Sequence, residues 1–318
     1  MTHTAAEPAR LDRANTPFEP PPTRPSFRWR ALLGALRPRQ WAKNLLILLP
    51  ALAAHVRWTP EQIGNALGGL AAFSLTASAI YVFNDLIDLP NDRQHRTKRF
   101  RPFASGDLRV IHGIALVTVL SLVSAAIAAF LPNAFAAVLA VYALLSVGYS
   151  VAIRRRIALD VILLASLYTL RVVAGAALAA VPLSRWFLGF SIFLFLSLAL
   201  IKRVVELQES DSGSTGPVGG RGYIVADIPV LTALGLGATI ASSLVYCLYI
   251  TSDDVLRLYP RPDILWGNLP ILLYWQARTW LLVNRHQMHE DPVVFALRDR
   301  GSHISFLAFL LLVFLAAR

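Results

Sequence analysis

The sequence predicts an all-α membrane protein, a polytopic bundle of about nine transmembrane helices. Only 15% of the residues are charged, whereas soluble globular proteins carry about 25%. Hydrophobic residues make up 56% of the chain, and its mean hydropathy is +0.55. Long apolar runs recur along the chain, and about 20 apolar residues are enough for a helix to cross a bilayer. Most of the surface is therefore expected to face lipid.

The first part of the chain differs from the rest. Residues 1–32 are rich in Pro and Arg, and no continuous apolar stretch precedes position 44. A cleavable signal peptide is therefore not expected, and the segment is predicted to be a disordered cytosolic tail. Nine apolar runs follow, at about 42–56, 62–83, 110–131, 134–153, 158–181, 185–205, 225–250, 263–284 and 302–317. The first run is short, and the count becomes eight if it lies at the membrane interface.

The positive charges predict the orientation of these runs. With the N-terminus in the cytosol, the cytosolic segments are residues 1–43, 84–109, 154–157, 202–224 and 285–301, and they hold 23 of the 30 Lys and Arg residues. Such an excess is typical of cytosolic loops. The net charge of +11 thus falls in short segments between apolar runs. This distribution favours membrane orientation and phosphate binding over nucleic-acid binding.

Three aspartates follow the second apolar run at helical spacing. Asp85, Asp88 and Asp92 stand at i, i+3 and i+7, which places them on one face of a continuous helix. Pro90 is expected to distort the last turn of that helix. Carboxylates this close repel one another unless a cation lies between them, and proteins usually hold Mg²⁺ through one or two carboxylates plus substrate phosphates. The alternative is a solvated loop of mixed charge.

Basic residues follow the aspartates directly. They are Arg93, His95, Arg96, Lys98, Arg99 and Arg101. Arginine forks pair with phosphate oxygens through two hydrogen bonds. Ligands for a cation and partners for phosphate therefore occupy one short segment at the mouth of a membrane bundle. The segment predicts a site for a magnesium-chelated diphosphate.

A second group of charges ends the sixth apolar run. Lys202 and Arg203 are candidates for phosphate contact, and Glu206 is a candidate to hold or orient a second metal. The spacing of Lys202 and Glu206, i and i+4, is equally typical of an ion pair on a helix surface. Residues 213–222 are glycine-rich and are expected to form a lid or a flexible loop.

Other ionisable residues lie within or beside the fifth run. Asp160 and Arg171 are functional candidates because ionisable groups in a membrane helix are energetically costly. Structural pairing with other helices remains an equal alternative for both. Arg154, Arg155 and Arg156 indicate topology first, and contact with a substrate phosphate is their second interpretation.

Together these residues resemble the UbiA superfamily of intramembrane prenyltransferases. The first signature of that superfamily is NDxxDxxxDR, and the matching residues are Asn84, Asp85, Asp88, Asp92 and Arg93. The resemblance extends over about residues 33–317. It implies one transmembrane transferase domain, residues 33–318, with a central cavity open to lipid and polar loops in the cytosol.

Within the superfamily, four stretches are more similar to the decaprenyl-phosphate phosphoribosyltransferase branch than to the quinone or heme branches. They are residues 37–44, 97–102, 170–175 and 202–207. Aromatic prenyltransferases usually carry a second DxxxD motif after the sixth span, whereas Glu206, Glu209 and Asp211 lack that spacing. The phosphoribosyl branch usually carries a more basic stretch there, leading to a tyrosine, and this chain has Arg221 and Tyr223 among glycines.

The resemblance implies an Mg²⁺-dependent transferase that moves phosphoribose from phosphoribosyl pyrophosphate to a polyprenyl phosphate of the decaprenyl type. The implied catalytic residues are Asp85, Asp88 and Asp92, which with Asn84 are also the implied metal ligands. The residues expected to bind substrate are Lys43, Asn84, Arg93, Lys98, Arg99, Arg101, Tyr149, Arg154, Asp160, Arg171, Lys202, Arg203, Glu206 and Tyr223. Among these, the acceptor phosphate is assigned to Lys43, Arg154 and Lys202.

Two alternatives remain at this point. One is transfer of a prenyl group from a prenyl diphosphate to an aromatic or other small acceptor, which a second DxxxD motif would favour. A more remote one is a transporter, which predicts ionisable residues near several helix midpoints, whereas the acids here cluster at predicted cytosolic ends. The expected partners are a polyprenyl lipid, a diphosphate-bearing co-substrate and the lipids of a bacterial plasma or inner membrane, but no nucleic acid.

Overall fold

The computed structural model describes residues 28–56, 58–94, 97–209, 221–288 and 291–318. Predictions for residues 1–27, for His95 and Arg96 and for residues 210–220 lie outside this part of the chain. Residues 28–32, which the sequence placed in the disordered tail, instead begin a helix. Every regular element of the described residues is helical, and none is a strand.

Thirteen α-helices account for most of the described chain. They are α1 (Arg28–Leu36), α2 (Leu49–Ala53), α3 (Pro60–Ile87), α4 (Leu89–Gln94), α5 (Val110–Ala129), α6 (Asn133–Gly148), α7 (Leu159–Ala179), α8 (Arg185–Gln208), α9 (Ile228–Ile250), α10 (Asp253–Leu258), α11 (Asn268–Asn284), α12 (Pro292–Ala296) and α13 (Arg300–Ala316). Short 3-10 helices cover Pro38–Leu48, Lys98–Phe100, Val225–Asp227 and Pro262–Gly267, and a π-helical turn covers Tyr149–Ile153.

Six of the described helices are long and apolar enough to cross a membrane. They are α3, α5, α7, α8, α6 with its π-helical extension, and α9 with the 3-10 turn before it. Helices α11 and α13 have 17 residues each, about the shortest length that spans a bilayer. The predicted first span is instead the 3-10 helix Pro38–Leu48 followed by the short α2. The predicted fold class is confirmed, and the count of nine spans stays a prediction.

Local sequence explains where the long helix α3 begins and ends. The Thr59 hydroxyl accepts a hydrogen bond from the Gln62 N–H at 3.3 Å, and the Gln62 side chain accepts one from the Thr59 N–H at 3.1 Å. This reciprocal cap satisfies two donors of the first turn. At the other end Pro90 cannot continue the helix, because it lacks an N–H and its ring would clash with the preceding turn. Helix α3 therefore ends at Ile87, and a new helix, α4, begins at Leu89.

Helix α7 packs against α3, α6, α8 and the 3-10 helix Pro38–Leu48. The contact with the 3-10 helix is made at Gly175, where an added Cβ would lie 1.9 Å from the Ile47 carbonyl oxygen. Only glycine permits this approach. It brings Lys43 and Asn44, both buried, against the side of α7.

Connections between the helices meet at one end of the bundle, which we call the aspartate end. Asp88, after α3, contacts Arg154, after α6. Arg221, before α9, contacts Tyr149. The sequence predicts that this end faces the cytosol.

Candidate active site at the aspartate end

A cavity of about 850 Å³ lies at the aspartate end, within the size range of small-molecule sites. Its basic lining residues are Arg37, Lys43, Lys98, Arg101, Arg154, Arg155, Arg171, Lys202 and Arg221. Its lining carboxylates are Asp85, Asp88 and Asp92. Among the described residues that line the cavity, nine are cationic and three are anionic. The chain has only three lysines, and all of them line this cavity.

The three aspartates enter the cavity from the end of α3 and from α4. Asp85 belongs to the last turn of α3, Asp88 caps that helix, and Asp92 lies in α4. The Asp92 N–H still donates to the Asp88 carbonyl oxygen at 2.8 Å, so the helical path is bent rather than lost. All three side chains therefore keep to the side of the chain that faces the cavity.

Each aspartate is paired with arginine. The Asp85 carboxylate lies 2.5 Å from Arg37 and 3.2 Å from Arg101. Arg101 also donates to Asp92 at 2.6 Å, so one guanidinium joins the first and third aspartates of the motif. The Asp88 carboxylate receives two hydrogen bonds from Arg154, at 2.7 and 2.6 Å. The expected repulsion among the carboxylates is thus relieved by arginines.

Charge and burial shift the acid–base properties of groups at the mouth of the cavity. Burial alone would raise the pKa of Asp88, but hydrogen bonding and charge from Arg154 outweigh it and hold that pKa below its ordinary value. Burial, with the nearby Arg101, lowers the pKa of Lys98. Asp88 is therefore ionised at neutral pH.

Two oxygen atoms of the motif are suited to a cation. Asn84 Oδ1 and Asp85 Oδ2 are buried and accept no hydrogen bond from any described residue, a costly arrangement for polar atoms. Oxygens of this kind suit Mg²⁺. Over the described ranges, no three His, Cys, Asp or Glu side chains form a metal site by themselves. The donor set thus fits Mg²⁺ with substrate oxygens among its ligands.

A second charged cluster joins Lys43, Lys202 and Asp291. The Asp291 Oδ2 atom lies 2.6 Å from Lys43 Nζ and 3.4 Å from Lys202 Nζ. The other carboxylate oxygen accepts a hydrogen bond from the Val293 N–H at 3.1 Å and so caps α12. Although burial opposes it, the charges of Lys202 and Lys43 lower the pKa of Asp291 to about 2.

Arg171 lines the same cavity from the middle of α7 and has neutral partners. Its guanidinium donates to Asn44 at 3.1 Å, to the Leu167 carbonyl oxygen at 2.6 Å and to the Tyr142 hydroxyl at 2.9 Å. Its Cζ atom also lies 5.2 Å from the centre of the Tyr168 ring, within the range of a cation–π contact. These groups orient the guanidinium without balancing its charge.

Behind the cavity wall, a buried network connects α7 with α8. Asp160 and Arg203 are 0% and 1% exposed, and their charged atoms lie 2.7 Å apart. The Tyr223 hydroxyl donates to Asp160 at 2.5 Å. Arg203 also contacts Glu206, whose carboxylate lies 3.3 Å from Arg221. The structural alternative for Asp160, an ion pair with another helix, matches this geometry.

Comparison with known proteins identifies the family. A profile of the UbiA prenyltransferase family matches residues 44–295. The chain belongs to the UbiA prenyltransferase family. It is 34% identical to the nodulation protein NoeC of Azorhizobium caulinodans, over 88% of this chain and 92% of NoeC. It is 37% identical to the decaprenyl-phosphate phosphoribosyltransferase of Mycolicibacterium smegmatis, over 56% of this chain and 57% of that enzyme.

Other relatives match in length or in fold. The chain is 37% identical to the uncharacterized protein y4nM of Sinorhizobium fredii over 85% of its own residues, but it spans only 52% of that protein. A solved UbiA homolog from Archaeoglobus fulgidus, bound to GPP and Mg²⁺, superposes with a TM-score of 0.68 at 15% identity. The superposition covers 90% of this chain and 99% of the archaeal one. This UbiA protein therefore has the fold that the sequence predicted.

The cavity of this UbiA protein collects most of the predicted site residues. Those that line it are Lys43, Asn84, Asp85, Asp88, Asp92, Lys98, Arg101, Tyr149, Arg154, Arg171 and Lys202. Arg93 and Arg99 are exposed and lie outside the lining. Asp160, Arg203, Glu206 and Tyr223 belong to the network behind the wall and lie outside the lining, and their contact with substrate stays a prediction.

Sequence reasoning missed two charged residues of this UbiA protein. Arg37 reaches Asp85, and its only signal was its place in the stretch of residues 37–44. Asp291 holds Lys43 and Lys202, and its signal was an acid directly before a proline, a common start of a helix. Tyr81, Tyr142 and Tyr168 also line the cavity; aromatic residues in apolar runs carry no signal that distinguishes a site from a core.

Proposed function

We propose that this protein transfers phosphoribose from phosphoribosyl pyrophosphate to a polyprenyl phosphate, with Mg²⁺ as cofactor and with release of pyrophosphate. The observation that supports it best is the excess of basic residues, nine against three carboxylates, among the described residues that line the cavity. Phosphoribosyl pyrophosphate and a lipid phosphate together bring three separate phosphate-bearing positions. A prenyl diphosphate with an aromatic acceptor brings one, which would engage fewer of these cations.

The aspartate motif is the proposed place for the metal. Asn84 and Asp85, with their unpartnered oxygens, would hold Mg²⁺ together with Asp88 and Asp92. When bound, the ion supplies positive charge that stabilises the departing pyrophosphate.

The arginines at the motif have a proposed second set of partners. Arg37, Arg101 and Arg154 now bind carboxylates, and phosphate oxygens accept the same forked hydrogen bonds. Substrate binding would then exchange one anionic partner for another. These arginines would orient the diphosphate and stabilise the charge that develops on it.

The proposed bond changes need no strong base. The bond between C1 of the ribose and the pyrophosphate oxygen breaks, and an oxygen of the lipid phosphate forms the new bond to C1. That oxygen is already anionic at neutral pH, so no proton has to be removed from it. In keeping with this, the described residues that line the cavity include neither His nor Cys.

Apolar residues on the same walls suit a lipid tail. Ile80, Leu164 and Leu167 line the cavity beside the charged groups. Keeping a prenyl chain out of water contributes about 0.8 kcal/mol per CH₂-sized group. Lys43 and Lys202 are the proposed partners of the acceptor phosphate, whereas Arg154 lies at the aspartate motif, with the diphosphate.

The test uses purified protein in detergent with Mg²⁺, radiolabelled phosphoribosyl pyrophosphate and a polyprenyl phosphate. We expect label in the lipid phase and its loss in Asp88→Asn and in Asp92→Asn. Asp107→Asn is the matched control, because Asp107 is exposed on the same connection and lies outside the cavity lining. Absence of labelled lipid, together with turnover of a prenyl diphosphate and an aromatic acceptor, would replace this function with prenyl transfer.

A further inference from the structure

We infer that Lys43, Lys202 and Arg171 form a metal-independent site for the phosphate monoester of the lipid substrate. We also infer that Asp291 is a positioning residue, which holds the two lysines in that site. This site rests on the proposed function and deepens it, because the lipid phosphate would bind apart from the aspartate motif.

Two of the three cations lie against one aromatic ring, and the third shares an aspartate with one of them. Lys43 Nζ lies 5.7 Å from the centre of the Tyr168 ring, and Arg171 Cζ lies 5.2 Å from the same centre. Asn44, next to Lys43 in the chain, accepts a hydrogen bond from Arg171 at 3.1 Å. Lys202 joins them through Asp291, which it shares with Lys43. The cluster is therefore one local site.

The charges of this cluster do not balance. Lys43, Lys202 and Arg171 carry three positive charges, and Asp291 supplies one negative charge. Lys43 and Arg171 are each 5% exposed, so water compensates them poorly, and unbalanced buried charge is costly. A phosphate monoester carries between one and two negative charges near neutral pH. A phosphate monoester therefore matches the net positive charge that Asp291 leaves unbalanced in this cluster.

The cluster is chemically separate from the aspartate motif. Its two lysines form ion pairs with Asp291, and Arg171 donates hydrogen bonds to neutral groups. Arg154 belongs to the aspartate motif, because it donates two hydrogen bonds to Asp88. An anion bound by ammonium and guanidinium groups alone needs no metal.

A lipid phosphate fits this site better than the 5-phosphate of a sugar. Leu164 and Leu167 line the same wall of α7 as Tyr168 and Arg171. An isoprenoid tail attached to the phosphate can cover these apolar groups, whereas a ribose cannot. The two sources share the monoester chemistry, and the test separates them.

The three lysines make a direct footprint possible, because each is a cavity residue. The full-length protein in detergent with EDTA is treated with formaldehyde and a mild reductant, and methylation of each lysine is measured by mass spectrometry. We expect farnesyl phosphate to protect Lys202, and farnesol or ribose 5-phosphate to leave it reactive. Equal protection by farnesol or preferential protection by ribose 5-phosphate would overturn the inference.

Variants measure the contribution of each charge. In EDTA, Lys202→Gln and Asp291→Asn are each expected to weaken farnesyl phosphate binding about 10-fold, and Asp291→Glu to restore part of it. Arg285→Gln is the control, because Arg285 is exposed and outside the cavity lining. Thermal unfolding of every variant shows whether it is folded. Equal affinity of Asp291→Asn and Asp291→Glu would mean that the negative charge positions nothing.

The same measurements separate this inference from the proposed function. If farnesyl phosphate binds in EDTA but no phosphoribose is transferred, the proposed function fails and the site stands. If transfer occurs but farnesyl phosphate binding requires Mg²⁺ and is lost in Asp88→Asn, the site fails and the proposed function stands.

Discussion

Arg154 and Asp88 are 66 positions apart in the chain, and two hydrogen bonds of 2.7 and 2.6 Å join them. The forked geometry is the strongest that an arginine makes with a carboxylate. Hydrogen bonding to Asp88 correspondingly raises the pKa of Arg154. A metal ion that binds at the aspartate motif must therefore compete with this guanidinium for Asp88.

The first prediction follows from that competition. Arg154→Gln is expected to bind Mn²⁺, used as a probe for Mg²⁺, several-fold more tightly than the unchanged protein in the absence of substrate, because Asp88 is released. Transfer activity is expected to fall in the same variant, because the guanidinium is lost to the phosphates. Electron paramagnetic resonance of free Mn²⁺ measures the affinity. Arg156→Gln, which changes an exposed arginine of the same connection, is expected to change neither quantity; equal Mn²⁺ affinity in both variants would contradict the competition.

The second prediction concerns pH and Asp291. Its pKa in the folded protein is about 2, against 3.8 for the ordinary group. A lowered carboxyl pKa stabilises the fold above the ordinary pKa, and this contribution is lost as pH falls through the folded value. It amounts to about 2 kcal/mol. The free energy of unfolding should therefore decrease between pH 5 and pH 2 more steeply in the unchanged protein than in Asp291→Asn.

Asparagine is the suitable replacement here because its side-chain oxygen can still cap α12 at Val293. The comparison thus isolates the charge from the cap. Unfolding in detergent, followed by circular dichroism at several pH values, gives the two slopes. Parallel pH dependence in the two proteins would show that the lysines do not lower this pKa.

The third prediction tests the close approach at Gly175. A methyl group there would meet the Ile47 carbonyl oxygen at 1.9 Å, and overpacking typically costs about 1–3 kcal/mol. Gly175→Ala is expected to lower the thermal midpoint and to weaken lipid phosphate binding, because Lys43 is carried on the displaced 3-10 helix. Gly237→Ala is the matched control, since its Cβ would meet nothing within 4 Å. It should be neutral or stabilising, as alanine favours helix.

The fourth prediction removes one hydroxyl from the network behind the cavity. The Tyr223 hydroxyl donates to Asp160 at 2.5 Å and accepts from the Ala158 N–H at 2.9 Å. Tyr223→Phe leaves a buried carboxylate oxygen without this donor, at a cost of about 1–3 kcal/mol. Tyr274→Phe changes a tyrosine that is 58% exposed and should have little effect. Thermal unfolding distinguishes them, and equal midpoints would remove Tyr223 from the supporting network.

The features that sequence predicted well are those that depend on neighbouring residues. Apolar runs indicated the membrane helices, and Pro90 indicated the end of α3. The spacing of Asp85, Asp88 and Asp92 placed them in one cavity, because a bent helix still directs residues at i, i+3 and i+7 to one side.

The features that sequence missed depend on residues that are distant in the chain. Arg37 is 48 positions from Asp85, and Lys43 is 248 positions from Asp291. No local pattern encodes such pairs. One predicted alternative was an ion pair between Lys202 and Glu206. The structure instead pairs Lys202 with Asp291, which comes from a distant segment of the chain.

The arginine partners of the aspartate motif affect the free energy of ligand binding. Taking ions out of water is among the most unfavourable steps in forming a complex. Here folding itself has already removed Asp85 and Asp92 from water, with Arg101 beside them. A ligand that replaces one member of such a pair meets ions that are already dehydrated. The arginines therefore take the place of water around these carboxylates. The free-energy cost of dehydrating the ions is met once, when the protein folds, and not in each catalytic cycle.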